Sequence, residues 1–550
     1  MLPILLLVVL SLSGGEKTQA TEAEHRVELA PFVVYGAPEG LSWQYARYRD
    51  FEALTMCTPD LTQAVIEAAW RGRHLIPDQF EPERSDPAAV VLYDLRSFIS
   101  SRVEPGTMWQ KDASADLGAD WVWIGGNILY PETEDDLMAA NLGGIDRMYT
   151  LDSDHLPRLF KDYRPRPPEW ILIGLFGPKG AYTSLGGYSL GEPQLRVPVF
   201  RWLDDAASKA LRSNKHPEAE FLSFDQLFAS QPPGDEAGPA VRRKWEDQAA
   251  LFARWQILGH DGAKSGGKDG FWRLVYLASS GVPVDEELFK QCLGWSYAEA
   301  AQRMGRYLKG AVLGPGDIGM KPFPRTGIIT LQPATEAQIA RLKGNFERLE
   351  AKRLRADHPD LAALYEEAAR STLLRGLKRT DNDPAVRAVL GRLEMDTGHP
   401  AAARPHLEAA FAAKVANTRA LLALARLRID EAIAADGKIA PAQLQGVFAP
   451  LTAARERKPA EVETYRLIAE IWRRSVAPPQ RGHLAVLLEG VKLFPHDLDL
   501  LRQVAEVHQQ YGFGREAAVV AALGLLRSNT AERKAGFSRF LAETPGSPKP

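Results

Sequence analysis

Residues Leu498–Arg527 read LDLLRQVAEVHQQYGFGREAAVVAALGLLR. Apolar positions recur every three or four residues on both sides of Tyr511-Gly-Phe-Gly514, which predicts two short amphipathic helices joined by a tight turn. Large residues fall at Leu501, Val504 and His508, and small ones at Ala505, Gly512, Ala517, Ala521 and Gly524. Small side chains at a crossing point let two antiparallel helices approach closely, while the large ones fill the groove against the next pair. The same order appears earlier, in Arg387, Leu390, Gly391, Gly398, Ala403, Leu407 and Ala410. Leu421, Leu424 and Ala425 repeat that opening 34 residues after Arg387, Leu390 and Gly391. Another unit opens with Tyr465, Ile468, Ala469 and Trp472 and closes, after a short insertion, with Leu487, Gly490 and Pro495. A plain helical bundle would lack this recurrence, so stacked helix pairs are predicted.

These positions resemble the tetratricopeptide (TPR) repeat. The resemblance implies an all-α solenoid over residues 358–530 whose concave face takes a protein or a peptide. Composition agrees, since from Ala334 onward Ala, Leu, Arg and Glu dominate and Pro or Gly punctuates only turn-like places. A connecting helix is predicted within 331–357, from about Glu336 to Leu354, and a disordered tail over 531–550.

Residues 24–330 read differently. Short apolar strands at Phe32 to Tyr35, Ala89 to Tyr93 and Trp121 to Ile124 alternate with helix signals, among them Thr58 before Pro59. From about Leu195 to Leu308 the period turns helical, with Trp245, Phe252, Trp255, Phe271, Leu274 and Leu277 read as core. The glycine-rich insert Gly259 to Gly270 predicts an exposed loop.

The stretch Pro165-Arg-Pro-Pro-Glu-Trp-Ile-Leu-Ile-Gly-Leu-Phe176 resembles the Pro-x-Trp-Leu-x-Glu-Gly-Leu-Ala element of peptidase-MA-like gluzincins. Asp50-Phe-Glu-Ala-Leu-Thr55, Val90 to Tyr93, Phe289 to Gly294, Tyr297 and Tyr307-Leu308 extend the similarity over about residues 45–310. The fold expected is therefore an α+β N-terminal metallopeptidase-like domain followed by an all-α TPR solenoid. The zinc chemistry of that family needs two His one helical turn apart, a carboxylate ligand, and a Glu as general base. None of the eleven histidines has a partner four residues away. Aligned on Leu151 to Phe160, Asp154 and Arg158 stand where the family has its two His, and His155 stands where it has the general base. Ile173 holds the place of the third ligand. A cation and a hydrocarbon beside a dication oppose binding, so a degenerate site is predicted, with no catalytic residue, no metal and no cofactor. The bland reading of the same segment is a helix capped by Asp152 or Ser153.

Charge and targeting bound the rest. A net charge of −3 and a pI near 6.5 supply no basic footprint for nucleic acid. Leu2 to Leu12 is apolar over the length of a signal-peptide core, too short to span a bilayer comfortably, which predicts a signal peptide over 1–23 and a periplasmic or secreted protein. An uncleaved anchor is the alternative, and no other membrane span is predicted. Cys57 and Cys292 read as independent buried thiols, with one disulfide as the alternative. Gly262-Ala-Lys-Ser-Gly-Gly-Lys-Asp269 nearly matches a phosphate loop, but Asp269 replaces the hydroxyl that should reach magnesium. The function expected is an exported, non-catalytic binding or scaffold protein. The alternatives are a divergent metallopeptidase with unusual ligands and an envelope assembly factor acting through the repeats.

Overall fold

The computed structural model of the 550-residue chain describes parts of 42–93, then 127–129, 137–141, 163–176, most of 221–258, 267–313, and 328–544 apart from 357 and 529. A small N-terminal sheet, a block of aromatic-rich helices and a long C-terminal helical array follow one another. The predicted strands Phe32 to Tyr35 and Trp121 to Ile124, the cap Thr58, and the segment 1–23 lie outside the described residues.

The sheet comprises β1 (Gln44–Tyr48), β2 (Phe51–Thr55), β3 (Ala88–Tyr93), β4 (Asn127–Leu129), β5 (Leu137–Asn141) and β6 (Gln332–Pro333), in the order β4-β5-β3-β2-β1-β6. The pairs β2·β3 and β3·β5 are parallel and the others antiparallel. Every residue of β2 is buried, because both faces of this central strand are covered. On one face Ala46, Phe51, Ala53, Val90 and Leu92 pack with Cys57, Ile66 and Ile329. Tyr45, Leu54, Ala89 and Val91 occupy the other, against Leu342, Phe346 and Leu349.

Those last three come from the far side of the chain. After the helices described in the aromatic block, α1 (Glu169–Phe176), α2 (Phe224–Leu227), α3 (Gly238–Leu258), α4 (Gly267–Ser279), α5 (Glu286–Leu293) and α6 (Tyr297–Leu313), the chain returns through β6 into α7 (Glu336–Leu354). Thr335 caps α7 in a reciprocal box with Gln338. Its residues 342, 346 and 349 form one helical face, and burying them on the sheet is worth roughly 1.5–3 kcal/mol each. A helix expected only to connect two domains thus serves both, since its other side packs on α8 (Pro359–Arg379) through Gly344 and Leu373. Glu52 of β2 strengthens the same junction by accepting from Arg341 at 2.8 and 2.6 Å and from the Tyr45 hydroxyl at 3.1 Å.

Beyond α8 the array continues as α9 (Pro384–Asp396), α10 (Pro400–Ala412), α11 (Thr418–Ala432), α12 (Pro441–Arg455), α13 (Val462–Arg474), α14 (Arg481–Leu493), α15 (Leu498–Gln510), α16 (Gly514–Arg527) and α17 (Ala531–Glu543). Asp383, Asn417, Asp497 and Thr530 cap α9, α11, α15 and α17 by accepting from backbone N–H groups in the first turn. The crossings use small residues. A β-carbon on Gly391 would stand 2.6 Å from Leu407, one on Gly490 2.6 Å from the Tyr465 ring, and one on Gly524 2.3 Å from the Phe537 ring.

Two readings are corrected. Gly267–Gly270, expected from composition to end an exposed loop, form the first turn of α4, where Gly270 sits against the Cys292 carbonyl with a would-be β-carbon 2.2 Å away. Such a contact is a reason for glycine other than flexibility. The tail expected from 531 begins as α17, because Phe537 buries itself over Gly524. Cys57 and Cys292 are buried in separate cores and are not bonded to each other.

The front of the molecule and the array also meet directly. Arg164 donates to the Ala460 carbonyl at 2.9 and 2.5 Å and lies over the Phe494 ring at 4.7 Å. The Arg166 amide donates to Leu493 O at 2.9 Å, and Ser85 exchanges two 2.8 Å bonds with the backbone of Lys458. Arg527 donates to the carbonyls of Pro495 and Gly281, and His496 to that of Ala278. Loops at one edge of α13, α14 and α15 therefore hold the front half by backbone-directed bonds.

Candidate functional site

The segment that carries the peptidase resemblance is α1 with the prolines before it. Pro167 and Pro168, each without an N–H to give, keep the chain out of the helix until the Pro168 carbonyl accepts from Ile171 and starts it. Trp170, Ile171, Leu172 and Leu175 are buried, with Trp170 packed 4.8 Å from Phe228 and 6.1 Å from Phe252 between ring centroids. Gly174 marks the closest approach of α1 to α3, since a β-carbon there would stand 2.7 Å from the Ala249 carbonyl. Ile173, at the third-ligand position, is half-buried and packs against this apolar core. Asp154, His155 and Arg158 lie outside the described residues, and Ile173 lies within them. Gly187-Tyr-Ser-Leu-Gly191, with the G-x-S-x-G spacing of a nucleophile elbow, also lies outside them. Among the described residues no three His, Cys, Asp or Glu are grouped so as to hold a metal.

One polar group in this block stands apart. Arg254 interrupts the run Phe252-Ala-Arg-Trp-Gln-Ile257 on α3 and is only 7% exposed. It bonds the Tyr307 hydroxyl of α6, and its Nε and Nη1 have no hydrogen-bond partner. Burial lowers the Arg254 pKa and raises that of Tyr307. Sequence reasoning passed over both, assigning Tyr307 to a closing helix; the signal was a guanidinium set inside an aromatic run.

The array carries its charge in order along the first helix of each pair. Arg419 and Arg426 of α11 reach Glu461 at 3.0 Å and Glu470 at 2.8 Å, at the cap and in the body of α13. Arg466 and Arg473 of α13 reach Asp497 at 2.8 Å and Glu506 at 3.5 Å, at the cap and in the body of α15. Each bond joins one first helix to the next. Half-exposed pairs are worth little in stability singly, about 0–1 kcal/mol, so this row matters more as a polar, charge-alternating surface.

No helix among the described residues is long and apolar enough to cross a membrane. No family model, curated protein or solved structure matches the chain.

Proposed function

We propose that this chain is an exported, non-catalytic binding scaffold, in which a front domain similar to peptidase-MA-like gluzincins has lost its zinc chemistry and a TPR-like array takes a protein or peptide. The observation that carries the array half is the repeated small-residue crossing at Gly391, Gly490 and Gly524, each filled by a large side chain of the opposing helix. The row of Arg–acid pairs from α11 to α15 supplies groups that a partner's backbone and charges can exchange with. For the front half the support is Ile173, a hydrocarbon packed on an apolar core where a carboxylate ligand would be required.

Metal analysis and hydrolase assays on the purified full chain test the front half. Stoichiometric zinc with peptide cleavage would replace the scaffold reading by the divergent metallopeptidase, and metal-free hydrolysis lost in Ser189→Ala would replace it by a serine hydrolase. Affinity capture with wild type and with Arg426→Glu/Arg473→Glu tests the array. Equal recovery of the same partner by both proteins would remove the array face from the function.

A further inference from the structure

A guanidinium stays protonated in proteins, so Arg254 carries its charge into the interior. A buried charge without a counter-charge costs several kcal/mol unless its donors are satisfied. Among the described residues its one partner is the neutral hydroxyl of Tyr307, and Nε–H and Nη1–H have no acceptor. The neighbouring residues do not repair the balance. Trp255 Nε1 and Gln256 Nε2 on the same turn of α3, and Trp170 Nε1 on α1, are also buried donors without partners. Among the described residues before 330, every buried side-chain atom lacking a partner is thus a nitrogen donor, whereas the array also has unmatched acceptors such as Glu347 Oε2 and Gln503 Oε1.

Tyr307 shows where an acceptor could come from. Its oxygen receives the Arg254 bond, which leaves its own O–H proton free to donate, and its side chain is only partly buried. One cation and a phenol O–H beside it balance one negative charge, the complement of a carboxylate, whereas a phosphate dianion would call for a second cation.

We propose that Arg254 and Tyr307 form a carboxylate-binding site in the front domain, Arg254 supplying the charge and Tyr307 the outer donor at the point of entry. The site rests on the reading of this domain as a binding unit, but not on the array. Its ligand bears a free carboxylate, from either a small monocarboxylic acid or the C-terminus of a peptide.

The full-length chain is titrated with acetate, with short peptides ending in a free carboxylate, and with the same peptides amidated, following thermal unfolding and titration heat. Saturable binding of acetate or free-acid peptide, at least 10-fold weaker for the amide and in Arg254→Met, supports the site. Acetate matching the peptide identifies a small-acid site, and peptide alone identifies a C-terminus. No saturable binding by either, or equal binding by Arg254→Met, overturns the proposal. An unliganded Arg254→Met more stable than wild type would accompany the site, because an unpaired buried cation has been removed. Should Arg254→Met fail to fold, Tyr307→Phe replaces it, with a several-fold loss of affinity expected and unchanged affinity counting against the site. Zinc-dependent peptidase activity would sink the scaffold reading while leaving these outcomes to stand or fall separately.

Discussion

Arg341 on α7 and Glu52 on β2 form a forked ion pair, with Nη1 2.8 Å and Nη2 2.6 Å from the two carboxylate oxygens, although 289 residues separate them. The pair ties the sheet to the first long helix of the array. Glu52→Gln leaves the guanidinium without its counter-charge and is expected to cost roughly 2–4 kcal/mol, read from denaturant unfolding of the full chain. The double variant Glu52→Gln/Arg341→Met should recover part of that loss, since it removes the stranded charge as well.

Glycines in the array should divide by their surroundings. Gly524→Ala drives a methyl into the Phe537 ring and is expected to cost about 1–3 kcal/mol, with faster hydrogen exchange along Ala531–Glu543. Gly446, inside α12, has nothing within 4 Å of its would-be β-carbon. Gly446→Ala should therefore stabilise by roughly 0.5–1 kcal/mol through helix propensity. Equal effects at the two sites would argue against a close crossing at Gly524.

His496 makes stability depend on acid. Burial, with Arg527 and Arg166 nearby, lowers its pKa to about 4, and Nδ1 has no partner to hold a second proton. Between about pH 6.5 and 4 the unfolded chain binds a proton that the folded chain refuses, so stability falls as pH falls and levels off below about 4. The loss from this residue is at most about 3 kcal/mol. His496→Gln keeps an N–H for the Ala278 carbonyl and should flatten that part of the pH profile. His406 and His508, also lowered by burial, add with the same sign.

Arg164 should control how firmly the front half is held. Arg164→Ala removes both bonds to the Ala460 carbonyl and the cation over Phe494. Expected is a loss of about 1–3 kcal/mol, with protection from hydrogen exchange falling around 458–460 and 493–497 while α9 to α11 stay unchanged.

Much of the array was legible in the chain because its determinants are local. Gly391 and Ala425, 34 residues apart, each directly follow a leucine, Leu390 and Leu424, and the 3.6-residue period fills the helices between such marks. The end of α7 could be read to Leu354 for the same reason. Non-local packing was not legible. No spacing announces that Leu342, Phe346 and Leu349 cover β2 and β3, that Phe537 extends the helices past 530, or that Gly270 lies in a helix against Cys292. The candidate site divides similarly. The missing histidine pair and Ile173 are facts of the sequence, but the lone charge of Arg254 exists only once α3 and α6 bury it. Periodicity and turn chemistry were set residue by residue along the chain; which faces meet, and which charges lose their water, depended on burial between distant segments.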